Sequence, residues 1–239
     1  MTYHLSNIIR YTQDKLSSKL KNTPEDELLR SIDNKNKYTP VNVYDCLEAG
    51  NINIMGEYKR VNTDTDIEIC HNRINCGDQI VKYLVGGVCG VSVMTEKSRF
   101  QGCISDLVQA RNILEMWNRD NKRVFLLRND YIFSKYQILE SVLYNVDSVL
   151  LKTTVIKYVY PENPVKMLMD LIVYTNLLKI SPIIEVDSHS DLIVALSAGA
   201  TIIQFSTVDI IKFVNTTSLN NLVSTIPSNV KLILSNNQE

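Results

Sequence analysis

From residue 51 onward, short apolar, β-branched runs alternate with amphipathic stretches. The runs are Ile52–Lys59, Val88–Thr95, Val124–Asp130, Ser148–Ile156, Pro182–Asp187, Thr201–Ser206 and Val230–Ser235. Between them, helical spacing predicts helices over 74–84, 104–118, 135–144, 164–178, 189–198 and 217–225. Strands that are apolar almost throughout are buried on both faces, and their alternation with helices predicts consecutive βα units around a parallel sheet. Ahead of this rhythm, Leu5, Ile8, Ile9 and Leu16 mark one helical face. Asn22-Thr23-Pro24-Glu25 starts a second helix, with proline at an early position. Lys15, Lys19 and Lys21 read as a solvated face. The expected architecture is α/β, of the (β/α)8 TIM-barrel type and lacking its last βα unit. Residues 1–47 form an N-terminal helical extension and residues 48–239 the incomplete barrel.

Composition narrows the function classes. A chain of 239 residues suits one large domain or two small ones, single α/β barrels run to about this size, and 45% hydrophobic content suffices for a sizeable core. The formal net charge is -1 and no dense Lys/Arg cluster occurs, which argues against a nucleic-acid-binding surface. Cys46, Cys70, Cys76, Cys89 and Cys103 form no Cys-x-x-Cys pair and read as reduced thiols. The start, Met-Thr-Tyr-His-Leu-Ser, lacks a signal-peptide pattern, and Lys166, Asp170, Asn176 and Lys179 interrupt the most apolar stretch. The expectation is a cytoplasmic protein without a membrane or nucleic-acid partner.

Several chemistries lack their residues. No Gly-x-Gly-x-x-Gly or Gly-Lys-Ser/Thr follows a strand, and Gly86-Gly87-Val88-Cys89-Gly90 reads as a turn into one. Asp64-Thr65-Asp66-Ile67-Glu68 lacks the glycine and distal glutamate of a calcium loop. Cys70-His71 with Cys76 lacks a fourth zinc ligand, so no metal is expected. What remains is polar residues at strand ends: Glu57 and Lys59 on the first strand, Glu185 on the fifth. Positions i and i+2 of a strand share a face, so Glu57 and Lys59 project together where barrel enzymes keep their chemistry. Two carboxylates and an ammonium at one mouth could perform acid–base work.

With those residues in view, the chain resembles the indole-3-glycerol-phosphate synthase family along nearly its whole length. Gly56-Glu57-Tyr58-Lys59-Arg60 resembles the family's A-E-I-K-R segment. Ser92-Val93-Met94-Thr95-Glu96, followed by Arg99-Phe100-Gln101-Gly102, resembles S-V-L-T-E…F-x-G. Asn129-Asp130-Tyr131-Ile132 with Gln137-Ile138 resembles K-D-F-I…Q-I, and Ile183-Ile184-Glu185-Val186 resembles L-V-E-V. Asp209-Ile210 ends a segment that the family writes I-N-x-R-D-L. The resemblance implies a cofactor-free lyase of tryptophan biosynthesis. It would close an indole ring on 1-(2-carboxyphenylamino)-1-deoxyribulose 5-phosphate, losing carbon dioxide and then water. Glu57, Lys59 and Glu185 would carry over as catalytic residues. Ser92, Phe100, Leu150 and Ser206 would contact the phosphorylated substrate.

The departures point the other way. Asn129 stands where the family has its third-strand lysine, the usual acid for ring closure, and an amide cannot deliver a proton as an ammonium does. Arg128 is its neighbour but points to the opposite side of the strand. Ser206 replaces an asparagine, Val208 an arginine, and Asn62-Thr63-Asp64 the usual Ser-Pro-Ser. Leu234-Ser235-Asn236-Asn237-Gln238 occupies the place of S-E-S-G-I. The expectation is a synthase-like barrel with impaired catalysis. The alternatives are a pseudoenzyme or binding scaffold, and an altered activity on another phosphorylated metabolite. An open barrel edge is expected to suit a protein partner or self-association.

Overall fold

The computed structural model describes residues 2–33, 38–47, 52–61, 75–120, 123–206 and 226–235. Strands β1 (Met55–Tyr58), β2 (Gly90–Met94), β3 (Phe125–Asn129), β4 (Ser148–Lys152), β5 (Ser181–Val186), β6 (Ile202–Ser206) and β7 (Lys231–Ser235) form one sheet in chain order. Every neighbouring pair is parallel. Helices α1 (Thr2–Asn22), α2 (Glu25–Asp33) and α3 (Val43–Cys46) precede the sheet. The connections carry α4 (Cys76–Val85), α5 (Ile104–Asp120), α6 (Lys135–Leu143), α7 (Thr153–Val159), α8 (Pro164–Leu177) and α9 (His189–Ser197). This is the TIM-barrel type of α/β fold, with seven of its strands in place. The helix expected over 217–225 lies outside the described residues. So do Asn62-Thr63-Asp64, the rest of the Asp64–Glu68 segment, Cys70-His71, Val208, Asp209-Ile210 and Asn236-Asn237-Gln238.

The alternation along the strands sets the two faces. Phe125, Leu127, Leu150, Ile183 and Ile202 point into the barrel and cluster with Val41, Val43 and Cys46. Val91, Val93, Leu126, Val149, Leu151, Ile184, Val186 and Ile203 face outward into the helix layer. A one-residue slip would exchange these sets, so the register is strongly specified.

Residues 38–47 are pinned beneath the sheet by Asp147, which is fully buried. Its carboxylate accepts hydrogen bonds from Tyr38 Oη at 2.6 Å, the Val41 amide at 2.7 Å, the Leu126 amide at 2.7 Å and Arg111 Nη2 at 2.6 Å. Burial and this carboxylate both push the Tyr38 phenol well above its usual pKa. Ile8 and Ile9 of α1 are buried as expected, but Lys19 is not merely solvated, since its ammonium pairs with Glu140.

One boundary differs in a way that matters. The run Ser148–Ile156 is not a single strand: β4 ends at Lys152 and α7 begins at Thr153. Thr153, Val155 and Ile156 favour strand by β-branching, yet they are buried as one turn of helix. Packing overrides local propensity here. The shorter strand puts Lys152 at the carboxyl end of β4.

Candidate active site

The carboxyl ends of the strands gather the chemistry. In Glu57-Tyr58-Lys59-Arg60 the side chains alternate. Tyr58 is buried toward the helices, and Arg60 forms a two-point ion pair with Asp106, at 3.0 Å and 2.6 Å, in the first turn of α5. Glu57 and Lys59 turn together to the mouth, with Lys59 Nζ 3.6 Å from Glu57 Oε2. Gly56 has its own reason: a Cβ there would lie 2.6 Å from the Tyr83 ring, whose hydroxyl donates to the Glu57 carbonyl.

Glu57 is the hub of the β1–β3 side. Asn129 Nδ2 donates to Glu57 Oε1 at 2.7 Å, and Ser92 Oγ lies 3.5 Å from the same oxygen. The residue in place of the expected acid therefore serves as a hydrogen-bond donor to a neighbouring carboxylate. Arg128 points away into the helix layer, as the parity of β3 requires. It reaches Thr95 Oγ1 at 3.2 Å, Asp130 at 3.0 Å, Glu140 at 3.1 Å and Ser141 at 3.0 Å.

Glu185 does not take its cation from Lys59. Lys152, its register partner on β4, places Nζ 2.7 Å from Glu185 Oε1. Gln204 Nε2 donates to Glu185 Oε2 at 3.1 Å. Lys152 Nζ also lies 5.7 Å from the centroid of the Tyr131 ring. Burial disfavours the charged ammonium, but Glu185 and nearby Tyr131 and Glu57 outweigh it, and the lysine is held protonated well above its usual pKa.

Lys152 was not among the residues expected from the sequence. The signal was present: it lies two positions after inward-facing Leu150, so the same parity turns it inward. Reading the strand as far as Ile156 hid it by leaving the lysine mid-strand.

The remaining expected residues fall around these groups. Leu150 is fully buried in the barrel interior, one inward step below Lys152. Ser206 ends β6 opposite Ser235 of β7. Phe100 lies 6.5 Å from the Tyr131 ring, tilted by 31°. Glu96 presents Phe100 by accepting from the amides of Ser98 at 2.6 Å, Arg99 at 2.8 Å and Phe100 at 3.2 Å. Gly102 completes that loop, and a Cβ there would come within 2.3 Å of the Met94 carbonyl oxygen. Gln137 holds the companion loop. It accepts from Phe133 N at 3.0 Å and donates to the Tyr131 carbonyl at 2.9 Å. Of the candidate zinc ligands only Cys76 is described. Burial pushes its thiol up to about 12, and it donates to the Asp106 carbonyl at 3.4 Å.

The sequence model of one family, indole-3-glycerol phosphate synthase, matches residues 5–236. The chain belongs to that family. The synthase of Desulfosudis oleivorans is 28% identical over 211 residues, spanning 87% of this chain and 74% of the relative. The synthase of Sulfurimonas denitrificans is 34% identical over 121 residues, 51% of this chain and 40% of the relative. A multifunctional tryptophan biosynthesis protein of Pichia angusta is 37% identical over 115 residues, 46% of this chain and 30% of that longer protein. Against the synthase family's motifs, the E-x-K-R, T-E…F-x-G and Q-I residues of this chain are those that build the mouth and its two loops. Among the described residues no helix is long and apolar enough to cross a membrane.

Proposed function

We propose that this barrel is an impaired indole-3-glycerol-phosphate synthase. It closes the indole ring of 1-(2-carboxyphenylamino)-1-deoxyribulose 5-phosphate with loss of carbon dioxide and water. One observation carries the reading: Glu57 and Lys59 at β1 and Glu185 at β5 stand at the carboxyl ends of strands of one parallel sheet, and each carboxylate is oriented by a directional hydrogen bond. Ring closure needs an acid at the keto oxygen, and dehydration needs an acid and a base. Ser92, Phe100, Leu150 and Ser206 would surround the substrate. Asn129 cannot donate a proton to it, which slows the reaction relative to a barrel with a third-strand lysine. Residues 48–239 would form the reacting barrel and 1–47 the extension beneath it. A biosynthetic role fits the cytoplasm.

A second reading is a pseudoenzyme that binds a partner. Exposed Leu232 and Leu234, on the outer face of β7, favour it. Indole fluorescence on incubation with the carboxyphenylamino-deoxyribulose phosphate decides between the readings. The synthase reading expects slow, enzyme-dependent turnover. Folded protein with no turnover at any enzyme concentration would leave the pseudoenzyme.

A further inference from the structure

We propose that Lys152, on the fourth strand, delivers the proton for ring closure, in place of the third-strand ammonium that Asn129 lacks. This rests on the synthase reading above.

The geometry selects Lys152 among the cations near the mouth. Lys59 lies one residue beyond the end of β1, 3.6 Å from its carboxylate, and Arg128 is committed to the helix layer. Lys152 is inward-facing, its side chain 11% exposed, and it stands above the apolar floor formed by Leu150 and Ile183. Glu185 keeps its ammonium loaded, and the Tyr131 face flanks it. Its surroundings carry a second, independent sign of a ligand. Asn129 and Gln204 are each 5% exposed, and each spends its amide N–H on a carboxylate, Glu57 or Glu185. Their carbonyl oxygens, Asn129 Oδ1 and Gln204 Oε1, are buried with no donor among the described residues. A buried acceptor without a donor is costly, and native sites keep one where a ligand supplies the hydrogen. The arylamine N–H and the chain hydroxyls of the substrate are donors of that kind.

The step balances. The aryl carbon bearing the carboxylate bonds to the keto carbon, and the carbonyl π pair moves to oxygen. That oxygen takes a proton from Lys152 Nζ and becomes a hydroxyl, leaving a neutral amine. An alkoxide is a stronger base than an amine, so the transfer runs downhill even though Glu185 stabilises the ammonium. Carbon dioxide then leaves, and the pair from the broken bond restores the aromatic ring and the nitrogen lone pair. Loss of water takes one proton onto the departing hydroxyl and releases one from the neighbouring CH2. One proton is consumed overall, and the Lys152 amine regains it from solvent.

The test measures turnover by indole fluorescence for the unmodified protein, Lys152→Met, Lys152→Arg, Asn129→Lys and the double variant Asn129→Lys/Lys152→Met, with melting temperature beside each. Lys152→Arg keeps the charge and the Glu185 pair, but its planar guanidinium fork locks onto the carboxylate and puts no compact ammonium where Nζ stands at the keto oxygen. The expected result is a loss of about 100- to 10,000-fold in kcat for both Lys152 variants, with Lys152→Arg melting like the parent. Asn129→Lys should restore activity in the Lys152→Met background. If the unmodified protein turns over and both Lys152 variants stay within about threefold of it, the proposal is wrong and the synthase reading stands. If only proteins carrying Asn129→Lys turn over, the barrel keeps its substrate site but Lys152 is not its acid. If none turns over, the synthase reading fails and the proposal goes with it.

Discussion

The two sides of the barrel mouth hold similar groups under different conditions. On the β1–β3 side, Glu57 and Lys59 keep 32% and 17% of their side chains exposed and lie 3.6 Å apart. On the β4–β6 side, Lys152 and Glu185 are 2.7 Å apart with side chains only 11% and 15% exposed. Water screens the first pair, so it contributes little to stability and is free to rearrange around a ligand. The second pair is largely withdrawn from water, so each partner depends on the other. An ion pair near solvent can be altered with little effect on the fold, whereas a buried one ties chemistry to folding.

The sharpest way to break this comparison is to remove one partner of the buried pair. Glu185→Leu should strand the Lys152 ammonium and cost about 3 kcal/mol in urea unfolding, at the low end for a broken buried pair because some solvent reaches it. Lys152→Met/Glu185→Leu removes both charges and should recover most of that loss. If the single and double variants unfold at the same urea concentration, the pair is not coupled as its geometry implies. Lys59→Ala should show the opposite profile. Its stability should stay within about 1 kcal/mol of the parent, while indole formation falls about 100-fold or more. Activity that survives Lys59→Ala would remove Lys59 from the chemistry and leave Glu57 as the reacting group on its side.

The same contrast explains what could be read from the sequence. The βα rhythm was legible because inward and outward faces alternate along each strand, and burial on both faces makes the runs apolar. Glu57 and Glu185 were legible because a charge at the end of an apolar run has few structural uses. Glu185 was expected to converge with Lys59, and the cation it pairs with is instead Lys152, across the β4–β5 ladder. That pairing depends on where β4 ends. The β-branched residues after Lys152 read as strand, but they turn into α7 because Val155 and Ile156 bury better against the sheet as a helix. Asp147 was illegible for a different reason. Its four donors come from Tyr38, Val41, Arg111 and Leu126, far apart in the chain, and no local spacing signals such a cluster.

The smallest expected effect concerns alkaline pH, and it isolates the charge on Lys152. Burial opposes that charge and Glu185 outweighs it, so the folded-state pKa lies above the ordinary value. Below about pH 10.4, the ordinary lysine pKa, both folded and unfolded chains hold the proton and the full stabilisation is present. Above it the unfolded chain releases a proton that the folded chain keeps, so stability falls by at most about 1.4 kcal/mol per pH unit. The contribution is gone once the pH passes the folded value. Tyr58 and Cys76, each pushed up to about 12 mainly by burial, also weaken the fold over this range. Both are present in the parent and in Lys152→Met/Glu185→Leu, so they cancel when the two proteins are compared. The Tyr131 phenol is raised chiefly by burial and feels Lys152 and Glu185 with opposite signs, so removing both leaves burial in charge of its shift. Urea unfolding from pH 8 to 11 should therefore show parallel curves up to about pH 10 and then a steeper decline for the parent. Curves that stay parallel throughout would mean that Glu185 does not hold Lys152 charged, and the two sides of the mouth would be electrostatically alike.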